Sequence, residues 1–574
     1  MRYLDMTEAS RLLHKNAVIR FTQSYLIPIM AFLFGYSLIS SVMPPVYWRG
    51  VDGWLYKPVV ETIISRGLDP SSLDRYYRGY VGLNVSGFFY LLTLFHLVTK
   101  MDVDTVLRIG APMVAGLTCS TLYLLVRKYS GALPGLLTCI LFFSNEIVLK
   151  RYSFLYRENF AILLMSLFFL LLFYYRDDPT SYLYNMSAGL LYGLIVISHP
   201  LVAVVTNYIL LNMLIDYRKK IVVNKQLITA IFLAATIIFP FIGLYLNIAF
   251  FYLPKYIPHV SAFTLCGFIL LYFKKYSIIK VNSVLIDRLL GAIGVALILF
   301  YLLYWNHINY GLIEPPIMLY IKTSILVVGV IGYLVSQFTD KNRFIKRMTF
   351  LFLLLINLQY AGIGIPIHRS ILYMAFLAAA MCGSLSVDIK QYVSSLLARF
   401  NIPIRGLELG FFASLLLSGC LFSSVYTAYT SPIRYESMFE EMDVDSAVKI
   451  LGVLEDGDVV VAEHPVYNLL IYAGVNIGQL YPTSMGLSEL FTVQDPQLFS
   501  KQVKLVFPEA HRAIIVPQMV WRSFSSSLPC VKMVSESGAL LTQGSLIACV
   551  LYIEPSSILP CSEGTGMCHV HDAG

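Results

Sequence analysis

The chain has 574 residues and a mass of 64.8 kDa; 57% of its residues are hydrophobic, only 13% are charged, and the mean hydropathy is +0.70. Soluble globular domains carry roughly 25% charged residues, so this composition excludes a disordered chain, a coiled coil and an ordinary soluble enzyme. The net charge of +8 is uneven: residues 431–574 hold 7 Lys and Arg against 16 Asp and Glu, which leaves +17 for residues 1–430. The positive charges lie in short segments between apolar runs. That is a topological signal rather than a nucleic-acid surface.

In chain order, Arg2, Arg11, Lys15 and Arg20 precede an apolar run from Ser24 to Met43 that no small-residue cleavage site follows. The pattern predicts an uncleaved first span with a cytoplasmic N-terminus. Further spans are predicted at about 105–126, 131–149, 159–175, 184–198, 200–216, 226–252, 257–273, 285–305, 317–338, 348–364, 370–387 and 408–428, giving 13 in all. The apolar stretch 86–99 is only about 14 residues long, short for a crossing of ~30 Å, and reads as a juxtamembrane or re-entrant helix. Charge counting agrees. If 86–99 does not cross, the cytoplasmic segments hold 21 Lys and Arg and the outer ones about 11. The clusters Arg218-Lys219-Lys220, Lys274-Lys275 and Lys341 to Arg347 then all fall inside, as the positive-inside rule requires.

Residues 431–574 alternate short strands with helical stretches. Asp445 to Leu454 is amphipathic, Asp458 to Ala462 reads as a strand and Tyr467 to Ala473 as a helix. Ala513 to Val516 and Ser545 to Tyr552 read as further strands. The expected architecture is an α-helical polytopic membrane domain over 1–430 and a soluble α/β domain over 431–574 on the outer face. Walker-type and dinucleotide-type glycine motifs are absent from the sequence, which argues against an ATP-driven pump.

Three segments carry candidate chemistry. The first outer loop, about 44–104, opens with Tyr47-Trp48-Arg49-Gly50-Val51-Asp52-Gly53-Trp54 and continues into an amphipathic helix from Val59 to Arg66. Asp52 lies at membrane-surface depth among aromatic residues, where a partly desolvated carboxylate is suited to act as a general base or metal ligand; capping of the following helix is the structural alternative. The second is Lys150-Arg151-Tyr152-Ser153-Phe154-Leu155-Tyr156-Arg157-Glu158-Asn159. Glu158 and Arg157 stand at the entrance of an apolar helix, where a carboxylate also suits the helix dipole. The third is Gly364-Ile365-Pro366-Ile367-His368-Arg369. An arginine opening an apolar helix fits bidentate phosphate recognition. Lys322 and Arg108 are further candidates, with snorkelling to headgroups as their structural alternative. Asp102-Val103-Asp104 is an Asp-x-Asp pair, a weak metal candidate that reads foremost as a helix N-cap.

Taken together, these segments resemble the GT-C superfamily of integral membrane glycosyltransferases, which use polyprenyl-phosphate-linked sugars. Its members include protein O-mannosyltransferases, lipid A aminoarabinose transferases and oligosaccharyltransferases. The resemblance covers roughly residues 20–430 in layout and rests on short motifs. It implies transfer of a sugar to a glycan, lipid or protein acceptor at the outer membrane face. In that reading Asp52 is the first-loop acid and general base, Glu158 the second-loop acid, and Arg369 the lipid-phosphate arginine, with His368, Lys322 and Arg157 assisting. The oligosaccharyltransferase Trp-Trp-Asp-Tyr-Gly signature is missing, which argues against transfer to asparagine sequons. The second loop also lacks an Asp-x-Asp pair, which counts against a bound metal; a divalent cation, Mg or Mn, remains the candidate cofactor.

Of nine cysteines, Cys119, Cys139, Cys266, Cys382 and Cys420 lie in apolar spans and read as packing residues. Cys530, Cys549, Cys561 and Cys568 fall in the outer domain, where two disulfides are expected; Cys530–Cys549 with Cys561–Cys568 is one pairing. Cys561, Cys568, His569 and His571 also form a weaker zinc candidate. Glu463 and His464 after a strand, the His199-Pro200 turn and the sequon at Asn84 complete the singled-out positions. A transporter of lipid-linked saccharides is the main alternative, but it should show repeats and mid-membrane charge. A scaffold with a partner-binding outer domain is the third reading.

Overall fold

The computed structural model describes residues 21–43, 53–66, 87–143, 146–174, 182–215, 225–233, 265–267, 269, 292–293, 441–455, 457–462, 466–475, 480–482, 512–516, 540–543 and 546–552. They fall into two compact units. One comprises 1–72 and 83–438, the other 73–82 and 439–574.

In the first unit a π-helical turn, Thr22–Leu26, runs into α1, Ile27–Val42. There follow α2 (Gly53–Arg66), α3 (Gly87–Thr99), α4 (Val103–Ser130), α5 (Ala132–Phe143), α6 (Glu146–Tyr152) and α7 (Arg157–Tyr174). Then come α8 (Tyr182–Ser198), α9 (Pro200–Ile215) and α10 (Lys225–Leu233). Two helices among the described residues are long and apolar enough to cross a membrane, Thr22–Val42 and Val103–Lys128. The span expected over 131–149 is divided instead: α5 ends at Phe143 and α6 begins at Glu146. The reason is local, because Asn145-Glu146 interrupts the apolar run and a carboxylate favours a helix start. The expected break at His199-Pro200 separates α8 from α9.

The stretch 86–99 forms α3, a helix of 13 residues. At 1.5 Å per residue it measures about 20 Å, less than a bilayer core. Lys100 closes it with a positive φ of 56°, a left-handed residue of the kind that ends helices. Asp102 then caps α4 and accepts from the Asp104 amide at 3.1 Å, the role expected for Asp102-Val103-Asp104.

α1 packs along α4 through small residues. A Cβ at Gly35 would stand 2.9 Å from the Ala115 carbonyl oxygen, and one at Gly116 would stand 2.8 Å from that of Phe32. Such reciprocal notches let helix backbones approach closely, the usual source of packing energy between helices in lipid. At one end, the carbonyl of Gln23 in the π-turn accepts from Tyr123 Oη at 3.1 Å and Arg127 Nη1 at 2.6 Å. Arg127 Nη2 also donates to Ser24 Oγ at 2.9 Å. Cys119 and Cys139 are buried and unbridged, as packing residues should be; Cys266 is exposed.

The second unit contains α11 (Glu441–Val453), α12 (Val466–Ala473) and five strands: β1 (Asp458–Ala462), β2 (Leu480–Pro482), β3 (Arg512–Val516), β4 (Leu540–Gln543) and β5 (Leu546–Tyr552). The sheet order is β2-β1-β3-β5-β4. β1 is parallel to β2 and β3, while β5 is antiparallel to β3 and β4. All five residues of β1 are buried, as a central strand in a parallel arrangement requires. β2 and β4 carry no strong alternation in the sequence.

Gly35→Leu or Gly116→Leu should separate α1 from α4 and cost about 1–3 kcal/mol, the usual range for overpacking. Thermal unfolding in detergent reads this as a lower Tm. Gly452→Ala, with nothing within 4 Å of the added Cβ, should leave Tm unchanged or slightly raised.

Candidate active site

Asp52, Lys322, His368 and Arg369 lie outside the described residues, as do Asn84, Glu463, His464, Cys530, Cys561, Cys568, His569 and His571. Arg108 is half-buried on α4. Cys549 lies on β5, in register with Ile515 and Leu540. The structure does describe the helix that starts one residue after Asp52, together with Arg157, Glu158 and the whole of 146–174.

α2 is fixed by two adjacent side chains. Lys57 Nζ reaches Asp104 Oδ2 at 3.0 Å and Asp102 Oδ1 at 4.0 Å, which ties α2 to the start of α4. Tyr56 is 1% exposed. Its ring meets Phe88 at 5.8 Å, Phe89 at 4.9 Å and Phe154 at 5.1 Å, all edge-on, the favoured arrangement for aromatic quadrupoles. Its hydroxyl oxygen accepts from the Arg157 amide at 3.4 Å. That amide belongs to the first turn of α7 and has no partner within its own helix. Glu61, further along α2, is exposed, yet the protein around it takes enough water away to raise its carboxyl above the ordinary value. Asp104 and Asp102 add to that rise, and Lys57 and His96 oppose it.

The 150–158 segment is a tight turn between α6 and α7. Ser153 closes it twice, through its amide to Leu149 O at 2.9 Å and its hydroxyl to Lys150 O at 2.8 Å. Leu155 packs over Gly110 of α4, where an added Cβ would come within 2.5 Å of Leu155 Cδ2. Asn159 is 1% exposed, and its amide nitrogen donates to the carbonyls of Arg151 at 2.5 Å and Phe154 at 3.2 Å. One buried side chain thus clamps both ends of the turn.

Glu158 occupies the first turn of α7 and is 3% exposed. It and Asp458 are the buried carboxylates among the described residues. Asp458 serves its own turn, accepting from the Glu455 amide at 2.7 Å. Glu158 is paired with Arg151, Nη1 to Oε2 at 4.0 Å. Arg151 also lies over the Tyr156 ring, 5.5 Å from its centroid. So simple helix capping does not exhaust the role of Glu158: its buried charge faces a cation held by separate contacts. Among the described residues, no three His, Cys, Asp or Glu side chains are grouped as metal ligands.

Sequence reasoning singled out Glu158 and Arg157 but not Tyr56, Asn159 or Arg151 as a unit. A polar Asn directly after Glu158, at the mouth of a leucine-rich helix, was the available signal for a buried clamp. Tyr56 gave none, because loop tyrosines are common.

Asn159→Ala leaves two carbonyls short of a buried donor and should lower stability by about 2 kcal/mol, more than Ser153→Ala, by thermal unfolding. Glu61→Gln should raise Tm at pH 7, with the gain fading as pH falls toward 4. The raised carboxyl value means that ionisation disfavours the folded state, a penalty absent below the unfolded value and complete above the folded one.

No protein-family model matches this sequence, and no curated protein matches it. Solved structures do match. The oligosaccharyltransferase of Archaeoglobus fulgidus in complex with Zn and sulfate aligns over 84% of this chain and 67% of its own, with a TM-score of 0.57 and 13% identity. The archaeal oligosaccharyltransferase AglB from the same organism, in complex with an inhibitory peptide and a dolichol-phosphate, aligns over 86% and 70%, with a TM-score of 0.58 and 14% identity. ArnT from Cupriavidus metallidurans aligns over 92% and 98%, but its TM-score of 0.36 at 9% identity is too low to carry an argument. Identities this low establish fold and not reaction. The chain has a GT-C-like fold, shared with the archaeal oligosaccharyltransferase.

Proposed function

We propose that the protein is a glycosyltransferase that moves a sugar from a polyprenyl-phosphate-linked donor to a glycan, lipid or protein acceptor at the extracytoplasmic face of a cell membrane. The observation that carries this reading is a buried carboxylate, Glu158, set in the second loop of a GT-C-like fold, next to Arg157, whose amide is joined to Tyr56 on the helix that begins next to Asp52 in sequence. The related folds are described with a dolichol-phosphate and with acceptor and inhibitory peptides, which supports a lipid-linked donor and a separate acceptor. The proposed layout is a membrane domain over 1–430, with 13 spans and a cytoplasmic N-terminus, and an outer domain over 431–574.

In the proposed mechanism the acceptor hydroxyl gives its proton to the Asp52 carboxylate as its oxygen attacks the anomeric carbon. The bond from that carbon to the phosphate oxygen breaks, and polyprenyl phosphate leaves with the electron pair. Attack opposite the leaving phosphate inverts the anomeric centre. Arg369, His368, Lys322 and Arg157 are assigned to the phosphate, where fixed positive charge stabilises the negative charge that develops in a site of low dielectric. Glu158 is assigned to hold the acceptor or Asp52 in place through hydrogen bonds.

A structure with this fold contains Zn, and a divalent cation such as Mg or Mn would add positive charge at the leaving phosphate. The described residues do not fit such an ion, because Glu158 faces the Arg151 guanidinium, and Asp102 and Asp104 both answer to Lys57.

The test is turnover by the full chain in lipid nanodiscs, offered a panel of polyprenyl-phosphate sugars. Asp52→Asn should lower kcat by about 100-fold or more, the contribution expected of a general base, with donor affinity retained. Glu158→Gln should also lose turnover. Activity that survives Asp52→Asn would move the base elsewhere.

A further inference from the structure

The guanidinium of Arg151 is held in place but not used. Its backbone carbonyl is clamped by Asn159 at 2.5 Å, its cationic plane rests on Tyr156 at 5.5 Å, and Glu158 stands 4.0 Å away. An arginine presents five N–H donors in a rigid fork. At 4.0 Å the carboxylate is beyond hydrogen-bonding distance, and among the described residues the guanidinium donates no hydrogen bond. Its side chain is 22% exposed, against 4% for Glu158. A guanidinium present only to neutralise a buried carboxylate should close on it at about 2.7–2.9 Å and bind with both arms. This one instead stays open to a ligand.

The charge around it has the sign to attract an anion. Residues 150–158 carry three cations, Lys150, Arg151 and Arg157, and one carboxylate, Glu158. The turn that presents Arg151 is rigid, since Ser153, Leu155 and Asn159 each fix it to a neighbouring element. A preorganised fork loses little entropy when it engages a tetrahedral oxyanion, and two phosphate oxygens match its geometry.

We propose that Arg151 is a phosphate-binding residue, taking two oxygens of the phosphate of a lipid-linked donor or of the polyprenyl phosphate released from it. The proposal rests on the transferase reading for the identity of the lipid, but the phosphate chemistry is the residue's own. Glu158 faces the fork at 4.0 Å and yields it when phosphate arrives. Arg151 then neutralises the phosphate, and Glu158 is left to the acceptor side.

The experiment measures binding of polyprenyl phosphate, and of polyprenol as the uncharged control, to the full chain in nanodiscs. Inorganic phosphate is added as competitor. Arg151→Ala should weaken polyprenyl phosphate binding by about tenfold or more, the loss expected for charge-assisted hydrogen bonds, and leave polyprenol binding unchanged. Arg151→Lys keeps the charge that folding needs but loses the fork, and should fall between Arg151→Ala and wild type. Glu158→Gln should bind polyprenyl phosphate as tightly as wild type or tighter. Competition by inorganic phosphate would place recognition in the phosphate group alone; its failure to compete, with the Arg151 dependence intact, would place it in the lipid headgroup. The proposal is overturned if Arg151→Lys binds like wild type, or if phosphate and polyprenol binding fall together. Those outcomes leave the transferase reading standing wherever wild type still turns over donor. Arg151-dependent binding without any turnover would instead overturn the transferase reading alone.

Discussion

Tyr56 is the joint on which the candidate site depends. Its ring fills a cage of three phenylalanines, and its hydroxyl oxygen accepts from the Arg157 amide at the start of α7. Each aromatic pair contributes about 0.5–1.5 kcal/mol beyond area burial. The next residue, Lys57, ties the same helix to α4. Two neighbours on one turn of α2 thus fix it against α3, α4 and α7. The helix whose first turn Tyr56 touches carries Glu158, so this joint fixes where α2 stands relative to that carboxylate.

The helices behind the joint follow the rules of an apolar solvent. Lipid offers no hydrophobic drive for helices to associate, so close packing and hydrogen bonds must supply it. Gly35 and Gly116 give α1 and α4 their approach. Between α8 and α9, Tyr192 Oη donates to Asn207 Oδ1 at 2.5 Å. Buried threonines return their hydroxyls to their own helices, as Thr118 does to Val114 O at 2.7 Å. These buried polar side chains are spent on contacts within or between helices. Glu158 and Arg151 face each other at 4.0 Å, an ion pair rather than a hydrogen bond.

Much of the architecture was legible because membrane helices leave a strong mark in sequence. The apolar runs located α1, α4, α7, α8 and α9, and the shorter apolar stretch 86–99 located α3. The same logic failed at 131–149, where run length hid the polar break before Glu146. In the α/β unit, β1 was visible as a buried run of valines, whereas β2 and β4 are short strands with no alternation to reveal them. Asp102 was readable as a cap because capping is local. Tyr56, Asn159 and Arg151 were not, because their roles arise from contacts between residues up to 101 apart. Spacing alone carries no trace of such contacts.

The central claim is that this chain cleaves a sugar–phosphate bond at the membrane surface. The most direct measurement is release of polyprenyl phosphate from a labelled polyprenyl-phosphate sugar by the full chain in lipid, with the anomeric configuration of the transferred sugar read in the same experiment. The account predicts release coupled to transfer with inversion. Binding of the intact donor with no release, and its movement between leaflets, would contradict it.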